Sequence, residues 1–251
     1  MEISRKIYLQ YCDLKDAINL EGKKKEEIGI CVVETMKKLE SVKYHKGNLL
    51  KIISDEKENQ KTLTPKYNCM HIDLTTGAEK ELEAFLMQGK SCLDVLIKIF
   101  KPLFEISLIT FSEYGKKVVK SLENNLKNEE KELSRGLIEM LKSDEQWLKK
   151  WFKDERDTVS HYRSIISSGF VNIKDRDGNF VQKSPKTKEG VPFEKIVDML
   201  YHNILSFCED FIPLSLSIKF HPGILLKILH EEERDKEFPR KFGLQALNRP
   251  G

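Results

Sequence analysis

With 251 residues, 39% of them hydrophobic, the chain can bury a substantial core, and 33% charged against 9% aromatic content describes a mostly helical protein with charged outer faces. The 43 basic and 40 acidic residues leave a net charge of +3, unlike the single-sign surface of a general duplex DNA binder. No apolar run approaches the roughly 18 residues of a membrane span, and Cys12, Cys31, Cys69, Cys92 and Cys208 form no C-x-x-C pair that would signal a disulfide framework or a zinc knuckle.

In chain order, helical spacing predicts helices over 4–20 and 24–44, the second with Ile28, Cys31, Val32, Thr35, Met36 and Leu39 on one stripe and Gly22 at the break before it. Residues 51–67 turn polar, carry Pro65 and read as a loop, and CMHIDL after them reads as a short extended piece. Thr76-Gly77-Ala78-Glu79 has capping-box spacing. It opens a long helix with Leu82, Phe85, Leu86, Leu93, Leu96, Ile97 and Phe100 on one stripe, which Pro102 ends or kinks. Residues 103–111 are expected to continue as a bent helix, 112–115 as a turn and 129–141 as a further helix. After a strongly periodic stretch at 145–166, GFVNIKDRDGNFVQ predicts a small β-hairpin near 169–182, turning at Asp175 to Gly178. SPKTKEGVP is then a loop, and 193–218 the last long helix, with Pro213 a candidate break. A short helix is expected over 223–235, followed by a loose tail.

This pattern gives three parts: N-terminal helices and a polar loop over 1–75, a helical bundle over 76–220, and a C-terminal segment over 221–251. The opening MEISRKIYLQYCDLK lacks the apolar segment of a signal peptide, so a cytoplasmic protein with buried free thiols is expected.

Several short signals lose to plainer accounts. Gly89-Lys90-Ser91 has the end of a phosphate-binding loop, but Ala84 stands where its first glycine belongs and the run falls inside a predicted helix. Asp175-x-Asp177-x-Asn179 alternates oxygen ligands as a calcium loop does, yet Phe180 and Lys186 occupy the positions that need glycine and a bidentate glutamate. His71 and His202 lack partners at metal-ligand spacing, and no G-x-S-x-G, H-E-x-x-H or dinucleotide glycine motif is present. No cofactor and no metal is implied.

The stretch 145–166, EQWLKKWFKDERDTVSHYRSII, gathers a reactive set. On a helical wheel Trp147, Leu148, Trp151, Phe152, Val159, Tyr162, Ile165 and Ile166 fill an apolar arc, and Lys149, Lys153, Arg156, Asp157, Ser160, His161 and Ser164 fill the other. Arg156 and His161, five apart, stand roughly 140° from each other on the flanks of the polar arc, a geometry suited to two copies facing each other. A guanidinium can hold developing phosphate charge and an imidazole can move a proton, a workable kit for phosphodiester chemistry. The same spacing also suits a solvated helix face with a packing histidine.

The string ERDTVSHYR resembles the hallmark of HEPN (higher eukaryotes and prokaryotes nucleotide-binding) domains, an arginine followed four to six residues later by histidine with a polar residue directly after the arginine. ELEAFLMQGKSCLDVLIKIF is similar to the helix beside the motif helix in that family. The resemblance spans residues 76 to about 218. It implies an all-α bundle of four to five main helices, a homodimer with both arginines and histidines in one cleft, and metal-independent cleavage of single-stranded RNA, in some members as part of defence or toxin systems. Arg156 would hold the phosphate, His161 would act as proton carrier, and Asp157 and Ser160 would orient them. Arg163 stands where some toxin members carry a modifiable tyrosine, so that regulation does not carry over. Asp154, Glu155 and Asp157 offset Lys149, Lys150, Lys153 and Arg163, which keeps a second reading open: a non-catalytic module that binds a nucleotide, RNA or a protein through the same cleft.

Overall fold

Helices carry most of the chain, interrupted by small antiparallel ribbons. The computed structural model describes residues 2–60, 69–72, 76–108, 110–111, 115–155, 166–168, 170–174, 177, 180–187, 190–237 and 239–247. Helix α1 spans Glu2–Leu14 and α2 spans Gly22–Gln60. The buried positions of α2, Ile28, Val32, Thr35, Leu39, Val42, Leu49, Ile53 and Glu56, advance by threes, fours and sevens, as one helical face requires. That stripe continues through the segment expected to be a loop: residues 51–60 are helical because Ile53 and Glu56 stay on the buried face, with Lys51, Lys57 and Glu58, good helix formers, among the outward positions. Strand β1, Cys69–Ile72, is the expected extended piece.

Helix α3, Thr76–Leu96, buries Leu82, Phe85, Leu86, Leu93 and Leu96, the stripe expected of it, and holds Gly89-Lys90-Ser91 in its interior, where Lys90 pairs with Asp94. A 3-10 turn at Ile97–Ile99 leads into α4, Phe100–Phe104, with Pro102 in its first turn, where a missing amide proton costs no helical bond. Glu105 then adopts φ 60°, and this left-handed residue ends the helix, so the expected bent continuation through 103–111 does not form. Helix α5 (Lys116–Asn125) was not expected, and α6 (Asn128–Leu133) and α7 (Arg135–Lys149) stand where a single helix was expected over 129–141. Ser134 separates α6 from α7, its hydroxyl donating to the Lys131 carbonyl at 2.9 Å.

Downstream, β2 is Ile166–Ser168, β3 Phe170–Lys174, β4 Phe180–Lys183 and β5 Lys186–Thr187. The expected hairpin is β3–β4, paired from Val171 with Lys183 to Lys174 with Phe180; β1 adds to its other edge, giving the order β1-β3-β4, and β2 pairs with β5. Helix α8, Phe193–Ser217, runs through Pro213 without a break. The C-terminal segment departs most from expectation. Residues Ile224–Ile228 form β6 where a helix was expected, and the supposed loose tail forms β7, Phe242–Ala246, paired with β6 in register from Ile224 with Ala246 to Ile228 with Phe242. The β-branched ends of ILLKI, together with Gly223 at φ 91° before it, favour the extended ribbon.

The chain divides into two compact units, one of residues 1–40, 89–150 and 204–251, the other of 41–88 and 151–203. In the first, Phe211 stacks on Phe100 (centroids 5.5 Å) and Phe207 (5.6 Å), and Phe111 meets Phe207 edge-on at 5.6 Å. Buried Gln10 of α1 ties down the ribbon: its Nε2 donates to the Phe242 carbonyl at 2.8 Å and its Oε1 accepts the Phe242 amide at 2.9 Å. In the second unit, His45 Nδ1 lies 2.7 Å from Glu81 Oε2, Lys46 pairs with Asp198 at 2.7 Å, and the three-stranded sheet buries Phe170 and Asn172.

Candidate functional site

The approach to the motif is built as an amphipathic helix. Leu137, Leu141 and Leu148 of α7 are buried, and Trp147 is half-buried, its indole Nε1 donating to Asp144 Oδ1 at 2.7 Å and its ring meeting Phe207 edge-on at 6.2 Å. Burial pushes the Asp144 carboxyl above its ordinary value, the Trp147 hydrogen bond opposes that, and the nearby Asp210 charge adds to it. Lys116 of α5 pairs with Glu145 of α7 at 3.0 Å and ties the two helices together.

At Lys150 the hydrogen-bond register widens into a π turn, Lys150–Glu155, with Trp151 and Phe152 buried. Such turns sit inside helices where one extra residue locally underwinds the chain, frequently beside functional groups. Leu148, Trp151 and Phe152 thus occupy the core-facing arc the sequence predicts. Arg156, Asp157, Ser160 and His161 follow at once, and all four lie outside the described residues. The helix expected over 145–166 holds as α-helix to Lys149 and as a π turn to Glu155, but Ile166, expected at its end, is extended and paired with Thr187 in β2–β5. The β-branched Ile166 with two serines after it suits a strand better than a last helical turn.

The same unit holds a polar patch that sequence reading missed. Asn172 and Gln182 are directly opposed across β3 and β4, hence on one face of the sheet, together with Phe170. Asn172 is buried, and neither amide atom of Gln182 reaches a hydrogen-bond partner although both are shielded from solvent. The alternation hid it, since Val171 and Ile173 read as the apolar face of β3 and Asn172 with Lys174 as the outward polar one.

Other titratable groups serve packing. His202 is exposed and its Nδ1–H donates to the Asp198 carbonyl at 2.7 Å, a structural role as expected, while the side chain of His71 lies outside the described residues. Asp177 is exposed, and its neighbours in the candidate calcium loop, Asp175 and Asn179, also lie outside them. Cys12, Cys31, Cys92 and Cys208 are free thiols; the last two are buried with sulfurs 3.9 Å apart, and the contact with Cys92 together with burial pushes the Cys208 thiol well up, which leaves it inert. Among the described residues no three His, Cys, Asp or Glu side chains gather to hold a metal ion, and no helix is long and apolar enough to cross a membrane. No protein-family model, curated protein or solved structure matches the chain.

Proposed function

We propose that the chain is a metal-independent ribonuclease of the HEPN type, acting on single-stranded RNA as a homodimer through Arg156 and His161. The observation that carries the reading is the Arg156-x4-His161 motif, entered directly from a π turn whose Trp151 and Phe152 are buried, in a mostly helical chain. His161 takes the proton of a ribose 2′-hydroxyl, the oxygen attacks the adjacent phosphorus, and the bond to the 5′-oxygen breaks as that oxygen takes a proton from the imidazolium of the second copy's His161, giving a cyclic phosphate and a 5′-hydroxyl end. Arg156 holds the non-bridging oxygens as their charge develops, a planar fork matched to phosphate. Asp157 and Ser160 orient the pair. The balance of acidic and basic residues around the motif favours one second reading, a cleft that binds a nucleotide or RNA without turning it over.

Cleavage of mixed single-stranded RNA in EDTA, with wild type, His161→Ala and Arg156→Ala compared at equal folding and oligomeric state, tests the proposal. Each substitution is expected to lower the rate by about 100-fold or more. A properly dimeric wild type without cleavage sinks the ribonuclease reading and passes the same variants to a nucleotide-binding assay.

A further inference from the structure

A cleft of about 430 Å³ opens on the first unit, at a distance in sequence from the motif. Its one wall is the α2 stripe Glu27, Ile30 and Cys31, spaced i, i+3, i+4; its other is Lys98, Lys101 and Pro102 at the same spacing across the 3-10 turn and α4; Ser107 and Leu108 close it. The volume falls in the range of small-molecule sites, roughly 300–1,000 Å³, and such sites combine apolar walls with a few charged groups. Ile30 stands 57% exposed at the rim, an apolar side chain left in water on a helix that buries its other stripe.

The charges give the cleft a sign. Lys24 on α2 is engaged by Glu105 at 2.9 Å, and Lys90 by Asp94, but among the described residues neither Lys98 nor Lys101 has a carboxylate within ion-pair distance. Two uncompensated ammonium groups therefore face one lining carboxylate, Glu27. Lys98 lies near enough to Cys31 for its charge to oppose the upward push that burial gives the thiol. The only non-glycine residue with positive φ among those described, Glu105, ends α4 beside this wall and hands its carboxylate to Lys24, bracing the two walls together.

We propose that this cleft binds a small amphiphilic anion, with its charged head between Lys98 and Lys101 and its aliphatic chain on Ile30, Pro102 and Leu108. Decanoate, held below its micelle concentration, is the probe, and the readout is the rate at which N-ethylmaleimide alkylates Cys31 in the full chain, followed by peptide mass analysis. Cys12, which lies in a neighbouring groove with Tyr8 and Tyr11, is the internal control. Decanoate is expected to slow alkylation of Cys31 saturably and to leave Cys12 unchanged. The double variant Lys98→Gln, Lys101→Gln, both exposed positions, is expected to raise the half-protecting concentration roughly tenfold, the sum of two surface charge contacts. Ile30→Ser, equally exposed, is expected to weaken protection as well. The proposal is overturned if decyltrimethylammonium protects as well as decanoate, if no saturable protection occurs, or if raising the protein concentration alone protects Cys31, which would make a second copy the occupant.

Discussion

The two units differ in how they hold their buried amides. In the first, three interior polar groups tether backbone, Gln10 bonding both backbone groups of Phe242, Thr35 donating to the Cys31 carbonyl at 2.8 Å and Ser134 to Lys131, while the buried Ser215 hydroxyl reaches no partner among the described residues. In the second, the interior takes in a carboxyl, Glu56, two amides, Asn172 and Gln182, and the Thr187 hydroxyl, within an assembly that also carries Arg156 and His161 in sequence. A buried amide that finds no partner costs about 1–3 kcal/mol, so a chain that keeps one retains it against stability. The contrast is sharpest between two amides: Gln10 of the first unit is bonded at both its atoms, whereas Gln182 of the second is bonded at neither among the described residues.

The comparison breaks first at the aromatic cluster. Phe211 is fully buried between Phe100 and Phe207, and Phe211→Ala is expected to cost about 3–5 kcal/mol in urea denaturation, the range for deleting a packed ring. A cost under about 2 kcal/mol would mean that the cluster relaxes freely and that the first unit is not the rigid partner in the pair. The amides then sharpen it. Gln10→Leu leaves both backbone groups of Phe242 without their partner and is expected to cost about 2–3 kcal/mol, while Gln182→Leu strips away an amide that bonds nothing and is expected to be neutral or stabilising. Equal losses from the two would dissolve the distinction between the units.

How much of this could be read beforehand depends on which force set each element. Where burial fixed a helical stripe, as in α3 with Leu82, Phe85, Leu86 and Leu93, or where a turn demanded its residues, as in the β3–β4 hairpin, periodicity and turn chemistry sufficed. Residues 51–60 were misleading because polarity marks an exposed helical face as well as a loop, and only the wider spacing of Ile53 and Glu56 from Leu49 tells them apart. The β6–β7 ribbon was invisible because its two strands lie 13 residues apart, Ile228 to Phe242, and because its anchor is a single glutamine on α1, more than 230 positions away in sequence. Tertiary pairing of that kind overrides local propensity. The motif was legible as residue types and spacing, whereas the π turn before it was not, since widening the helix by one residue leaves the hydrophobic pattern of Trp147, Leu148, Trp151 and Phe152 unchanged.

The smallest expected effect concerns charge, and it tests whether the first unit's ion pairs also act as tethers. Burial alone would push the Glu130 carboxyl up, but the Lys219 ammonium and the Lys127 amide both bond it and hold it below its ordinary value of 4.5. A carboxylate lowered on folding stabilises above its unfolded value, and that contribution disappears as pH falls through the lowered native value. Wild type should therefore lose stability faster than Glu130→Gln between neutral pH and the acid side of 4.5, while at neutral pH the variant should be the less stable of the two by about 1 kcal/mol or less, as for a partly exposed pair. Denaturation midpoints of both proteins measured from pH 7 to pH 3 decide it: curves that converge on acidification place Glu130 among the tethers, and parallel curves remove it from them. Glu130 sits on α6 and Lys219 follows α8, so convergence would also show that this pair fastens two elements of the first unit that no apolar stripe of α6 could join, since α6 has no buried residue of its own.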